Sequence, residues 1–274
     1  MFQGPFSTTP RLTRFKTPMP AAVLALFAHP DDAEFLCGGT LVQLARLGSR
    51  LHIAAMTAGD CGSAILPPEK IAAIRRKEAE RAAARLRAEY SCLEMKDLLI
   101  FYDAPTLQKV LELVRQVNPD VVITHSPSDY MVDHETTSRL AQTACFGAMA
   151  PNFRTGSESA EPATRAIPHL YYTQPFGGRD IFGEEFRPRI AVDISATLDE
   201  KRALVACHES QRAWLRTQQD IEQMHDPVEA MARRVGVLAG FGAAEGFRQH
   251  LGQGFPQTDV FKSLLGGLVR DLVA

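Results

Sequence analysis

Three side chains near the start of this sequence have the types and spacing for chemistry. They are His29, Asp31 and Asp32, in the stretch AHPDDAEFLCGGTL (28–41). A second polar cluster, THSPSDYMVDHE (124–135), carries His134. Two imidazoles and a carboxylate, from His29, Asp32 and His134, make a ligand mix suited to Zn²⁺ with a fourth position left for water. Two ligands close in sequence and a third far along the chain are what a site assembled by tertiary structure would give. His134 falls near the start of a predicted helix, where the positive end of the macrodipole disfavours imidazolium and leaves the neutral, metal-binding form. Plainer roles compete with these: Asp31 or Asp32 capping the next helix, Asp133 as an N-cap, His134 as a surface histidine. Gly38 and Gly39 do not form G-x-G-x-x-G, which weakens a nucleotide-binding reading.

The elements that must position these residues alternate along the chain. AVLALFA (22–28) is a continuous apolar run, as expected of a strand covered on both faces. GGTLVQLARLG (38–48) reads as a helix stopped by Gly48. LHIAAMT (51–57) follows as a strand, residues 69–86 as a long Ala/Arg/Glu-rich helix, and DLLIFY (97–102) as a third strand. LQKVLELVRQV (107–117) is a helix, DVVITH (120–125) a fourth strand, and residues 133–149 another helix. After Pro151 come a polar loop or lid (151–167), strands in HLYYTQ and RIAVDIS, and helical stretches over about 197–214 and 227–237. This alternation predicts an α/β fold: a Rossmann-like, mostly parallel sheet flanked by helices, with a C-terminal β/α extension. Residues 1–20 read as an irregular arm and 21–274 as one domain, in which 151–274 form part of the pocket and lid. In such sheets ligands bind beyond the carboxyl ends of the strands, so the two polar clusters would meet on one edge.

Bulk properties narrow the function classes. The chain has 274 residues, 45% hydrophobic and 23% charged, with a formal net charge of −2. That balance gives no support to a nucleic-acid or membrane-surface role. No apolar run approaches the roughly 20 residues that span a bilayer. The N-terminal stretch lacks the apolar core of a secretory signal. Five cysteines, an odd number without C-x-x-C, argue against a disulfide framework or a Cys-rich zinc site, and a reducing cytoplasm is the simplest compartment.

AHPDDAEFLCGGTL, TAGDCGS (57–63), RRKEAERAAARL (75–86) and NPDVVITHSPSDYMVDHETTS (118–138), in that order, resemble the LmbE/PIG-L family of zinc-dependent N-deacetylases. The resemblance spans roughly residues 22–215 and includes VDIS (192–195) and KRALVACHESQ (201–211). It implies that His29, Asp32 and His134 bind one Zn²⁺ or another divalent ion, and that Asp31 is the general base. The ion would lower the pKa of water and polarise an acyl carbonyl. Arg75 matches a substrate-contacting arginine, against the alternative of a surface i,i+3 pair with Glu78. Asp60 is expected either at the rim or as support behind the site, Asp133 is expected to orient a neighbour at the site's edge, and both are counted as substrate-binding candidates. The implied substrate is a small N-acyl molecule, by default an acetamido sugar or sugar conjugate; a homo-oligomer is left open. One departure stands out. The family segment resembles Asp-x-His-Pro-Asp-His, whereas here Met131 occupies the first histidine's place and can donate no proton. His125, Tyr130, His208 and His225 are candidate replacements. Residues 151–167 and QPFGGRD (174–180) are expected to line or cover the pocket, and Trp214 has no assigned place. Rival readings are an amidase of a thiol conjugate or acylated natural product, and a zinc-retaining metabolite binder without turnover.

Overall fold

The computed structural model describes residues 20–156, 161–218 and 225–272, so the expected N-terminal arm lies, apart from Pro20, outside the described residues. The first half of the chain is four strand–helix units. They are β1 (Ala22–Phe27) with α1 (Asp32–Arg46), β2 (Arg50–Thr57) with α2 (Pro68–Arg85), β3 (Glu89–Met95) with α3 (Ala104–Val117), and β4 (Val121–Thr124) with α4 (Val132–Gly147). The rest supplies β5 (His169–Thr173), β6 (Ile190–Asp193), α5 (Leu198–Val205), α6 (Glu209–Gln218), α7 (His225–Ala239), β7 (Ala244–Gln249), α8 (Val260–Leu265) and β8 (Val269–Asp271). All eight strands form one sheet in the order β3-β2-β1-β4-β5-β7-β6-β8. The first five run parallel; β7, β6 and β8 join by antiparallel pairing.

Strand β1 shows why the sheet is covered on both faces. Side chains alternate across a strand, so Val23, Ala25 and Phe27 pack with Leu41 and Leu44 of α1, while Leu24 and Leu26 pack with Val110 and Val114 of α3. No polar face is left, and the sequence reads as an unbroken apolar run.

Two expectations are corrected. DLLIFY is not a strand: β3 is the preceding EYSCLEM, and 97–102 is a turn and loop. The apolar run misled because Leu98, Leu99, Phe101 and Tyr102 stay largely exposed rather than packing. The backbone is bent away from a strand: Leu98 is left-handed (φ 64°), and its N–H goes to the Asp133 carboxylate at 2.7 Å. Strand β7 was not foreseen, because its buried Glu245 breaks the apolar pattern.

Glu245 fixes helix α1. The helix kinks at Cys37 (φ −142°, ψ 17°), which frees the next amides from their helical acceptors. Gly39 and Thr40 donate these to the Glu245 carboxylate at 2.9 and 2.7 Å, and Lys201 of α5 pairs with it at 2.6 Å. A Cβ at Gly39 would fall 2.7 Å from Ile194, so only glycine allows this approach. Glu245→Ala would leave a buried ammonium and two amides without partners. It is expected to cost about 3–5 kcal/mol in urea unfolding, and a loss below about 1 kcal/mol would mean the pair does not hold the helix.

Candidate active site

Strand order reverses between β1 and β4, and the crevice at their carboxyl ends is where a doubly wound sheet binds its ligand. His29, Asp31 and Asp32 leave β1 there, and His125 to His134 leave β4 beside them. Asp31 has φ 102°, an uncommon left-handed conformation for a residue with a side chain. It occupies the N-cap position of α1 but makes no capping bond. Its Oδ1 instead accepts from Arg75 at 3.3 Å.

Arg75 is 4% exposed and also donates to the Pro30 carbonyl at 2.8 Å, so the surface-pair alternative with Glu78 is excluded. Glu78 is itself buried and receives the N–H and hydroxyl of Ser210. The TAGDCGS motif makes room for the guanidinium: Gly59 has φ +73°, and a Cβ there would lie 2.5 Å from Arg75.

His29, Asp32 and His134 come together, with one ligand atom from each within 4.8 Å of the others. His29 Nδ1 lies 3.4 Å from Asp32 Oδ2, and His134 Nε2 lies 3.7 Å from Asp32 Oδ1. The opposite nitrogens are taken by buried carboxylates. His29 Nε2 is 3.2 Å from Asp133, and His134 Nδ1 is 2.9 Å from Asp129. A carboxylate on the far nitrogen fixes a metal-binding imidazole's tautomer and orientation. Asp133 also accepts the Leu98 N–H at 2.7 Å, which ties the 97–102 loop to the site.

Electrostatics fit a cation. Burial opposes charging of His29, but hydrogen bonds to Asp133 and Asp32 raise its pKa to about 10. Burial also works against ionisation of Asp32, yet His134 and His125 hold it well below the usual carboxylate range. Burial pushes Asp31 up to about 6 against the pull of Arg75. Buried oxygens on Asp97, Asp129 and Asp133 have no hydrogen-bond partner. Five carboxylates around three imidazoles and one arginine leave excess negative charge, and the donor set of two nitrogens and a carboxylate suits a divalent ion.

The remaining candidates separate clearly. His125 is fully buried and accepts the Ala28 N–H at 3.0 Å through Nε2. Its ring stacks on His134 at 3.8 Å, and burial together with His134 lowers its pKa to about 4. It props the site from beneath, its Nε2 also 3.2 Å from Asp32 Oδ2, and does not line the cavity. His208 is buried beside Glu34 at 3.4 Å and does not line the cavity. The side chain of His225 lies outside the described residues. Tyr130 does line the cavity, its ring edge-on to His134 at 5.3 Å.

Asp60 and Asp133, expected near substrate, do not line the cavity. Asp133 is spent on His29 and Leu98. Asp60 pairs with Lys96 at 3.0 Å and accepts the Asp97 N–H. The described part of the 151–167 loop is also absent from the cavity wall; it packs toward α3, where Glu112 accepts the Glu161 N–H and Gln108 donates to the Arg154 carbonyl. Phe176 of the 174–180 segment does reach the wall, and so does Trp214. Asp97 and Asp129 were missed as site residues. For Asp129 the signal was present, a carboxylate five residues before His134; for Asp97 it was hidden in a run that reads as a strand. Asp129→Ala is expected to weaken divalent-metal affinity about 10–100-fold, measured by competition with a chromogenic chelator. Unchanged affinity would remove its orienting role.

Residues 24–145 match the family described as PIG-L, GlcNAc-PI de-N-acetylase. The chain is 28% identical over 199 residues to a 4-oxalmesaconate hydratase from Pseudomonas putida, covering 70% of this chain and 74% of that protein. It is 30% identical over 132 residues to a probable N-acetyl-alpha-D-glucosaminyl L-malate deacetylase from Bacillus anthracis, covering 44% of this chain and 58% of that one. N,N'-diacetylchitobiose deacetylase from Pyrococcus horikoshii has the same fold, with TM-score 0.71 and 26% identity over 88% of this chain and 89% of that one. The chain is an enzyme. Every residue of the cation-facing cluster lies inside the PIG-L match, whereas the cavity walls at Phe176, Gln211 and Trp214 come from beyond it. No helix among the described residues is long and apolar enough to cross a membrane.

Proposed function

We propose that this enzyme is a zinc-dependent hydrolase that removes an acetyl group from the amide nitrogen of an N-acetylated amino sugar or sugar conjugate. The observation that carries this is the convergence of His29, Asp32 and His134, each imidazole backed by a buried carboxylate, with Asp31 alongside in the same cavity. A divalent cation held by those three side chains supplies, when bound, a Lewis acid for the acyl oxygen and a lowered pKa for water. Arg75 holds Asp31 Oδ1, which leaves Oδ2 to accept the proton of the attacking water and return it to the departing amine. Its pKa of about 6 suits both tasks near neutral pH. Tyr130 is the donor we assign to the position Met131 cannot fill. A phenol is protonated at neutral pH, so it can donate to the developing oxyanion.

The test is acetate release from N-acetylglucosamine and its glycosides, with and without a chelator. Activity lost to the chelator and restored by Zn²⁺ is expected. Zinc-loaded protein that releases no acetate from any N-acetyl compound would defeat the reading. A second reading, hydration of an unsaturated acid, is favoured by the 28% identity to the hydratase. A polyanionic acid needs free cationic side chains. Among the described residues the cavity is lined by one arginine and no lysine, and Arg75 already holds Asp31 and Pro30. Loss of the conjugated acid's absorbance, without acetate release from amides, would favour hydration instead.

A further inference from the structure

The cavity, about 310 Å³, has a mixed lining. His29, Asp31, Asp32, Tyr130 and His134 come from the ends of β1 and β4, with Arg75 of α2 and Asp97 of the loop after β3. An apolar wall is contributed by Phe35, Leu36, Met131, Phe176 and Trp214. Phe35 comes from the first turn of α1, Met131 precedes α4, Phe176 follows β5, and Trp214 sits on α6. Four separate parts of the chain therefore contribute apolar surface to one small space. Phe35 and Phe176 meet edge to face at 5.8 Å, which fixes two of the rings. Leu98, at the lip, keeps 58% of its surface exposed although it touches the cavity. An unsubstituted sugar carries hydroxyls around its whole rim, and burying them against such a wall without partners is unfavourable. Of those five side chains only the Trp214 indole carries an N–H, and Gln211, whose Oε1 is buried without a partner, lines the same cavity.

We infer that this wall is an apolar subsite, which takes an aromatic or alkyl substituent on the N-acetylated substrate while the amide lies against His29, Asp31 and Asp32. This rests on the deacetylase reading for the position of the amide. The subsite itself rests on the wall. Phe176 and Trp214 lie beyond the PIG-L match, so the part of the substrate they touch is set by this chain's own later segments.

The chain's single tryptophan is Trp214, so intrinsic fluorescence reports on this wall directly. The experiment compares the methyl and benzyl glycosides of N-acetylglucosamine on zinc-loaded full-length protein, by Trp214 emission and by acetate release. The benzyl glycoside is expected to bind about tenfold more tightly, with a shift in emission, and to have the higher kcat/KM. Phe176→Ser should reduce the benzyl-to-methyl ratio below about threefold, and Met131→Gln should reduce it independently if the first variant folds poorly. Equal binding of the two glycosides, or a preference that survives both substitutions, overturns the subsite. A benzyl preference in binding with no acetate released from either glycoside sinks the deacetylase reading but leaves the subsite standing. Equal turnover of both does the reverse.

Discussion

Asp32→Ala is expected to abolish divalent-metal binding and, with it, at least about 10³-fold of turnover. Asp32 is the one side chain that faces both imidazoles, at 3.4 Å from His29 and 3.7 Å from His134. Its ionised form is strongly preferred, so it presents a full negative charge to whatever lies between them. Without it two imidazoles remain, too few ligands for the four-coordinate geometry zinc adopts. The first readout is thermal. A ligand that binds only the native state stabilises it by RT ln(1 + [L]/Kd), about 2.7 kcal/mol at a hundredfold excess over Kd. Wild-type protein should therefore melt at a higher temperature when Zn²⁺ is added, and the variant should not respond. A variant that keeps the zinc-dependent shift would show that the ion binds elsewhere. Asp32 also accepts the His29 N–H at 2.8 Å, so the metal-free melting temperature of the variant separates a lost ligand from a loosened loop.

Asp31→Asn is expected to lower kcat about 10²–10⁴-fold while metal content and the zinc-dependent thermal shift stay as in the wild type. Asparagine is the informative substitution because it tolerates the left-handed backbone at φ 102° and keeps an oxygen for Arg75. Alanine would add backbone strain to the loss of the base and blur the two. If kcat stays within threefold of wild type, another group takes the proton and the pairing of Arg75 with Asp31 serves structure alone. The neighbouring aspartates thus have separable failures: one substitution loses the ion, the other keeps the ion and loses the rate.

Local sequence was most informative where a single element carries the signal. AVLALFA could be read as a doubly covered strand because Val23 to Phe27 pack alternately into the cores on the two sides of the sheet. HPDD was visible as a site because charged groups rarely follow such a strand directly. Arg75 was ambiguous from spacing, since Glu78 three residues on is compatible with a surface pair. Burial, and the close approach of Gly59 and Gly62 to the guanidinium, decided it. DLLIFY was misread because hydrophobicity records what a segment could bury, not whether anything is there to cover it.

The sequence by itself determined the alternating α/β plan, the two histidines and twin carboxylates at strand ends, and the missing histidine at Met131. Only the tertiary structure decided that Asp129 and Asp133 stand behind the imidazoles, that His125 is a prop and Tyr130 faces the cavity, and that Phe176 and Trp214 form its wall. The division has a physical cause. Strand and helix patterns are written in neighbouring residues, through backbone geometry and one-sided burial. A carboxylate's partner a hundred positions away depends instead on which strands become neighbours, and here β1 and β4 do so across a crossover that no local pattern records.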